Sequence, residues 1–228
     1  MADIAGEQRG TRSHARRNHE LLVAAAREVF AEQGVDAPLE AIARRAGVGI
    51  GTLYRHFSSR EALVEAIFAR RIGELVAVAE AAAGQPDGWA AFVGLLERTV
   101  ELQAGDRVLK EILLRHPPRP GRFANAREEM RRGFERVLER ARDEGGLRAD
   151  FTFSDLALLL WSFGPVIDAT AEVAPDAWRR HLHLVVDGLR TGATTPPAQP
   201  ALDDDQLRAA MHTLREQRAS RRRITPPG

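Results

Sequence analysis

The sequence has no cysteine and one tyrosine among 228 residues, and Lys110 is its only lysine. Without cysteine there is no disulfide framework, no thiolate metal site and no cysteine nucleophile. No run approaches the ~18 uninterrupted apolar residues that a membrane-spanning helix needs. The opening Met1–Arg17 is polar and Arg-bearing, with no apolar segment ahead of a small-residue cleavage site, which argues against a secretory signal. The expectation is a cytoplasmic protein with no membrane partner. A charge excess of one sign is also missing, since the formal net charge is +1. Bulk charge therefore does not advertise nucleic-acid binding. Residues 1–60 carry a slight bias, nine Arg against seven acids, with four of those Arg before residue 18. The excess of Arg and Ala reads as coding bias of a GC-rich genome rather than as function.

What is present reads as helix. Asn18–Gln33 carries Leu22, Ala26, Val29 and Phe30 at three- and four-residue steps and ends at Gly34. Pro38 suits the first position of a short helix to Ala46, closed by Gly47, and another brief helix covers about Ile50–His56. Ser58 or Ser59 then caps a long helix that runs to the break at Gly84-Gln85-Pro86. Helices follow at Trp89–Ala104, Arg107–Arg115 and Ala124–Glu144. The proline-rich stretch His116–Gly121 between the last two is one no helix could cross. Thr152 with Asp155 resembles a capping box. The run Leu156–Ile167 behind it is apolar all round and must be buried on several sides, with Pro165 expected to kink it near Trp161. Pro175 restarts a helix to about Leu189, Thr191–Pro200 reads as a linker, and Asp203–Asp205 could cap a last helix bearing Leu207, Met211 and Leu214. No strand pattern persists. The predicted fold is all-α with nine or ten helices.

The informative segment is Leu39–Phe57. A helix-turn-helix needs a small residue where its helices cross, a glycine at the turn and an apolar anchor on the second helix, and Ala43, Gly47 and Leu53 supply these in order. Ile42, Val48 and Phe57 complete a small core against Phe30. With Leu53 and Phe57 inward, Thr52, Tyr54, Arg55 and His56 cannot all be buried. A two-turn helix presenting a hydroxyl, a phenol and a guanidinium suits a DNA groove. The glycines of Gly47-Val-Gly-Ile-Gly51 follow a helix, whereas a dinucleotide-binding loop must follow a strand.

Gly47-Val-Gly-Ile-Gly-Thr-Leu-Tyr-Arg-His-Phe57, followed by Arg60-Glu-Ala-Leu63, resembles the signature of the TetR family of bacterial transcriptional regulators. The resemblance is tight over about Asn18–Phe68. It implies a flexible basic arm at 1–17, a DNA-binding domain at 18–57, a helical ligand-binding and dimerisation domain at 58–190, and a linker with a possible final helix or tail at 191–228. The implied protein is a homodimeric repressor, released from a palindromic double-stranded operator by a small-molecule effector, with recognition helices about 34–36 Å apart. Thr52 and Tyr54 match motif residues that contact phosphates and groove edges. Arg55, at a variable exposed position, is assigned base readout, since Arg pairs bidentately with guanine. His56 is placed near phosphate, as is Arg60, which stands where a Lys is usual. Arg16 and Arg17 fall in the basic arm. Where relatives carry Thr or Ser at the start of the second helix this chain has Ala37 and Pro38, leaving the amides of Leu39 and Glu40. Gly49, Ile50 and Gly51 complete the set, with Ile50 suited to a thymine methyl.

Phe92, Leu96, Leu109, Leu113, Met130, Phe134 and Trp161 are the expected lining of an effector cavity, with His116, Asn125 and Arg127 as its polar groups. Leu156, Leu159, Phe163, Ile167, Leu182, Val185, Val186 and Leu189 are the expected dimer face, a four-helix bundle with the partner copy. No cofactor or metal is expected, because His181 and His183 point in different directions. Arg70-Arg71 and Arg131-Arg132 read as solvated helix faces, and the terminal Arg cluster as a tail. Two rivals stand beside this reading: a regulator of the same fold that needs no ligand, and a helical enzyme. The enzyme would require convergent ionisable groups that the sequence does not show.

Overall fold

The computed structural model describes residues 3–106, 123–192, 195, 197–210 and 213, with side chains from His14 onward except Ala15. Its named helices are α1 (Asp3–Gln33), α2 (Leu39–Arg45), α3 (Ile50–His56), α4 (Arg60–Ala83), α5 (Gly88–Ala104), α6 (Ala124–Asp143), α7 (Phe153–Thr170) and α8 (Ala177–Asp187). A further helical stretch covers 204–210. Among the described residues the β pairing is one isolated bridge, Leu147 with Arg190. The helix expected over Arg107–Arg115 and the loop behind it lie outside the described residues. The chain forms two compact units: one holds residues up to Arg70, and the other takes Arg71–Asp106 and continues from Phe123.

In the first unit, α1 buries Leu22, Ala25, Ala26, Val29 and Phe30 along one stripe. It begins at Asp3 rather than at Asn18. Residues 3–17 contain no proline, and four Arg favour helix against Gly6 and Gly10, so no strong breaker ends the helix between Asn18 and Asp3. Gly34, at φ +84°, makes the left-handed step that ends α1. Pro38 stands at the N-cap of α2, one place earlier than expected, and provides no side-chain cap. Ser59 caps α4 by accepting from the Ala62 amide at 3.3 Å. Leu63, Val64 and Ile67 of α4 pack into the same core as Phe30, Ile42, Leu53 and Phe57, so this unit runs on past Phe57.

The second unit has its own core. Phe92, Leu95, Leu96 and Val100 of α5 meet Phe134, Val137, Leu138 and Ala141 of α6, together with residues of α7 and α8. Side-chain caps start two of its helices, α5 and α7. Asp87 accepts from the Ala90 amide at α5. Thr152 and Asp155 bond reciprocally to each other's backbone, so Asp serves in this capping box where Glu or Gln is usual. Arg140 donates to the carbonyls of Ala83, Gln85 and Pro86, closing the turn after α4.

Three expectations are corrected here. Leu156, Phe163, Ile167, Leu182 and Val186 belong to the core of their own chain, so they cannot form a face for a partner. Leu159, Val185 and Leu189 are half-buried. The outward apolar residues on α7 and α8 are Leu158 and Leu184, the latter 62 % exposed. Arg71 is only 6 % exposed; its Nη1 lies 3.1 Å from Glu74 and 3.9 Å from the equally buried Asp106. A guanidinium removed from water needs such carboxylates beside it. Arg131 is likewise engaged, with its fork on both oxygens of Asp204 at 2.9 Å, its Nε on Glu135, and its face over the Phe153 ring.

Arg131 is one of several ties to the chain beyond Leu189. The Ser154 hydroxyl donates to the Leu202 carbonyl at 2.8 Å, Arg148 donates to the Thr195 carbonyl, and Leu207 is buried. Asp203 and Gln206 cap the stretch reciprocally, as the acidic run suggested. Met211 and Leu214 lie outside the described residues, as does the terminal Arg cluster.

Candidate nucleic-acid interface

The turn between α2 and α3 is built by the three residues the spacing singled out. Ala43 is buried where the helices cross, Gly47 takes φ +69°, and Leu53 is fully buried. The Val48 amide bonds back to the Ala43 carbonyl at 3.0 Å, and the Thr52 amide to the Gly49 carbonyl at 2.8 Å, which sets the entry to α3. With seven residues, α3 has two turns, and Leu53 is its one buried residue. Phe57, its C-cap, is buried as well.

The remaining α3 side chains therefore face outward or sit half-exposed. Tyr54 is 51 % exposed and Ile50 37 %, which are large apolar surfaces for a unit with its own filled core. Arg55 is exposed, and its Nη2 donates to the Thr52 hydroxyl at 2.9 Å, so the two polar groups form one patch. A Cβ on Gly49 or Gly51 would meet nothing within 4 Å, placing both glycines on open ground. His56 is half-buried, 6.2 Å from the ring of His19 on α1, and His19 lies 4.8 Å from the Phe57 ring. Partial burial, and secondly His56, hold the His19 imidazole below its usual pKa, while Glu20 pulls the other way.

Leu39 is half-buried and Glu40 exposed on the first turn of α2. Arg16 and Arg17 are exposed on α1, with Arg16 3.4 Å from Glu20. Arg60 departs from its assignment. Its Nη1 donates to the Val35 carbonyl at 2.6 Å and its Nη2 to the Ala37 carbonyl at 2.8 Å, so it turns into its own unit. Sequence reasoning also missed Arg45, which bridges α2 to Glu28 and Glu32 of α1 and, by hydrogen bonding, holds the Glu32 carboxyl below its ordinary range. Partners so far back along the chain leave no local signal.

The effector residues are placed unevenly. Phe92, Leu96 and Phe134 lie inside the core of the second unit, and Met130 is half-buried against it. Trp161 is half-buried and Asn125 exposed. Leu109, Leu113 and His116 lie outside the described residues. His183 pairs with Glu97 at 3.1 Å, and His181 lies 5.1 Å from the Phe163 ring.

Comparison with known proteins matches both units. Residues 22–67 match the domain described as bacterial regulatory proteins, tetR family, and residues 86–191 match the C-terminal domain of SbtR-like transcriptional regulators. The TetR transcriptional regulator SCO0520 from Streptomyces coelicolor is 29 % identical, with a TM-score of 0.61 over 77 % of this chain and 99 % of that one. A TetR transcription regulatory protein from Mycobacterium vanbaalenii is also 29 % identical, with a TM-score of 0.62 over 79 % and 99 %. TtgW of Pseudomonas putida, an uncharacterized HTH-type transcriptional regulator, is 42 % identical over 64 residues, 28 % of this chain and 48 % of its own. The chain thus spans about half the length of that curated relative. The two domain matches together take in well over half of the sequence, and the chain belongs to the TetR family of bacterial regulatory proteins.

Proposed function

We propose that the chain is a sequence-specific DNA-binding transcriptional regulator, a repressor that a small-molecule effector releases from a palindromic operator. The observation that carries this reading is α3: its anchor Leu53 is fully buried while Ile50, Tyr54 and Arg55 stand outward beside a half-exposed Thr52. Phosphate contacts would come from Thr52, Tyr54, His56, Arg16, Arg17 and the amides of Leu39 and Glu40. Base readout falls to Arg55 on guanine and Ile50 on a thymine methyl. Gly49 and Gly51 leave room for the duplex to approach. The test is selection of bound duplexes from random DNA by the full-length protein. Arg55→Ala should then relax preference at one position by about 1–3 kcal/mol. An unchanged base profile in that variant would displace α3 from the reading role.

The regulator is proposed to act as a dimer through the outward sides of α7 and α8, with Leu158 and Leu184 at the centre and Val185 and Leu189 at the margin. Release requires only that the effector prefer the state that fits DNA poorly, since equal affinity for both states shifts nothing. The match of 86–191 to a regulator's C-terminal domain supports an effector role for the second unit.

A further inference from the structure

We propose that Arg60 is a positioning residue for DNA binding, a clamp on the turn between α1 and α2 rather than a contact to phosphate. The inference rests on the DNA-binding reading for its consequence and on the geometry of the first unit for its cause. The turn 34–38 is awkward to hold. Val35 and Ala37 are buried, so their carbonyls lie where a missing partner is costly. Pro38 has no amide hydrogen and gives α2 no side-chain cap. The backbone secures the turn through the Gly34 amide on Phe30 and the Ala37 amide on Gly34. Arg60 secures the carbonyls of Val35 and Ala37 together, one from each terminal nitrogen, with its guanidinium 5.9 Å from the centre of the Phe30 ring.

A guanidinium suits this task because its donors are fixed in one plane and diverge. A lysine ammonium is a point charge at the end of a flexible stem and cannot hold the same two carbonyls with equal geometry. The clamp ties the first turn of α4 to the residues that launch α2. Since α2 packs against α3, the clamp fixes where α2 presents Leu39 and Glu40 and how α3 is backed. With one bond from each terminal nitrogen turned to the turn's carbonyls, the clamp serves DNA binding through geometry rather than through a phosphate contact.

The full-length protein with R60K and R60Q tests this, by amide hydrogen exchange without DNA and by titration against two probes across a range of salt. The probes are the duplex that the wild type recovers from a random pool and a mixed-sequence duplex. A clamp predicts that both variants speed exchange at the Ala37 and Ala41 amides. Both should weaken binding to the selected duplex by roughly tenfold, the scale of losing hydrogen bonds to a charged donor. The slope of log affinity against log salt should stay at its wild-type value. A phosphate contact predicts the reverse pattern: R60K matches the wild type, and R60Q lowers the slope by about 0.9. That pattern, or unchanged exchange and affinity in both variants, overturns the proposal. Should R60Q fail to fold, R60K still separates the two, because it keeps the charge and loses the fork. If the wild type recovers no sequence at all, the regulator reading falls, while the exchange comparison still decides whether the clamp exists.

Discussion

The seven residues of α3 and the seventeen of α5 divide their side chains in opposite ways. Within its span α3 commits only Leu53 to the interior. α5 commits Ala91, Phe92, Leu95, Leu96, Thr99 and Val100, together with Gly88 at its start. A two-turn helix can spare so little for packing that most of its residues are free to serve something outside the fold. A five-turn helix at the centre of a unit has its residues claimed before any ligand or partner is considered. In the first unit, outwardness is therefore informative about function. In the second, an apolar side chain says only that something covers it, and whether its own chain or another does so must be found from the packing.

The sharpest way to test that contrast is inside α8. Val186→Glu buries an unpaired carboxylate in the second unit's core and should unfold that unit, a loss of about 3–5 kcal/mol. Leu184→Glu, two residues earlier on the exposed side, should leave the thermal melt nearly unchanged and give monomers in sedimentation. A folded monomer from Val186→Glu would return that residue to the interface. Next in size is Leu53→Ala, expected to cost about 2–5 kcal/mol in the first unit and seen as lost amide protection in α1–α3. If α3 kept its protection, the small core would not depend on its one anchor. The smallest effect concerns pH. The His19 imidazole is held below its ordinary value, so the folded state binds fewer protons than the unfolded one, and stability falls as pH drops through about 6.5. The groups facing it are His56 and Glu20. Amide protection of α1 should weaken between pH 7.5 and 5.5, and His19→Gln should flatten that dependence.

How much was legible in the sequence follows the same division. Ala43, Gly47 and Leu53 are close in sequence and constrain one another through a local turn, so their roles could be read from spacing, as could the caps at Ser59, Thr152 and Asp203. Leu156–Ile167 announced burial on several sides, whereas its own chain buries one stripe, Leu156, Leu160, Phe163 and Ile167, and leaves Leu158 exposed. Periodicity counts buried faces without naming what lies against them, and for that reason core residues were assigned to a partner. Arg71 and Arg131 were misread for a related reason. Beside a carboxylate on its own helix, each meets one from elsewhere in the chain, Asp106 for Arg71 and Asp204 for Arg131. An arginine in a helix looks the same in sequence whether water or a carbonyl receives it.

The ties from Ser154, Arg148 and Arg131 to residues 195–204 bear on where this protein can be cut. The matched C-terminal domain stops at residue 191, and a chain shortened there would still hold both matched domains. It would nevertheless strip the acceptor from a hydroxyl at the start of α7, both carboxylate oxygens from the Arg131 fork, and Leu207 from its buried place. A boundary inherited from kinship and a boundary drawn by hydrogen bonds fall at different residues, and the second is the one a truncated protein would have to survive.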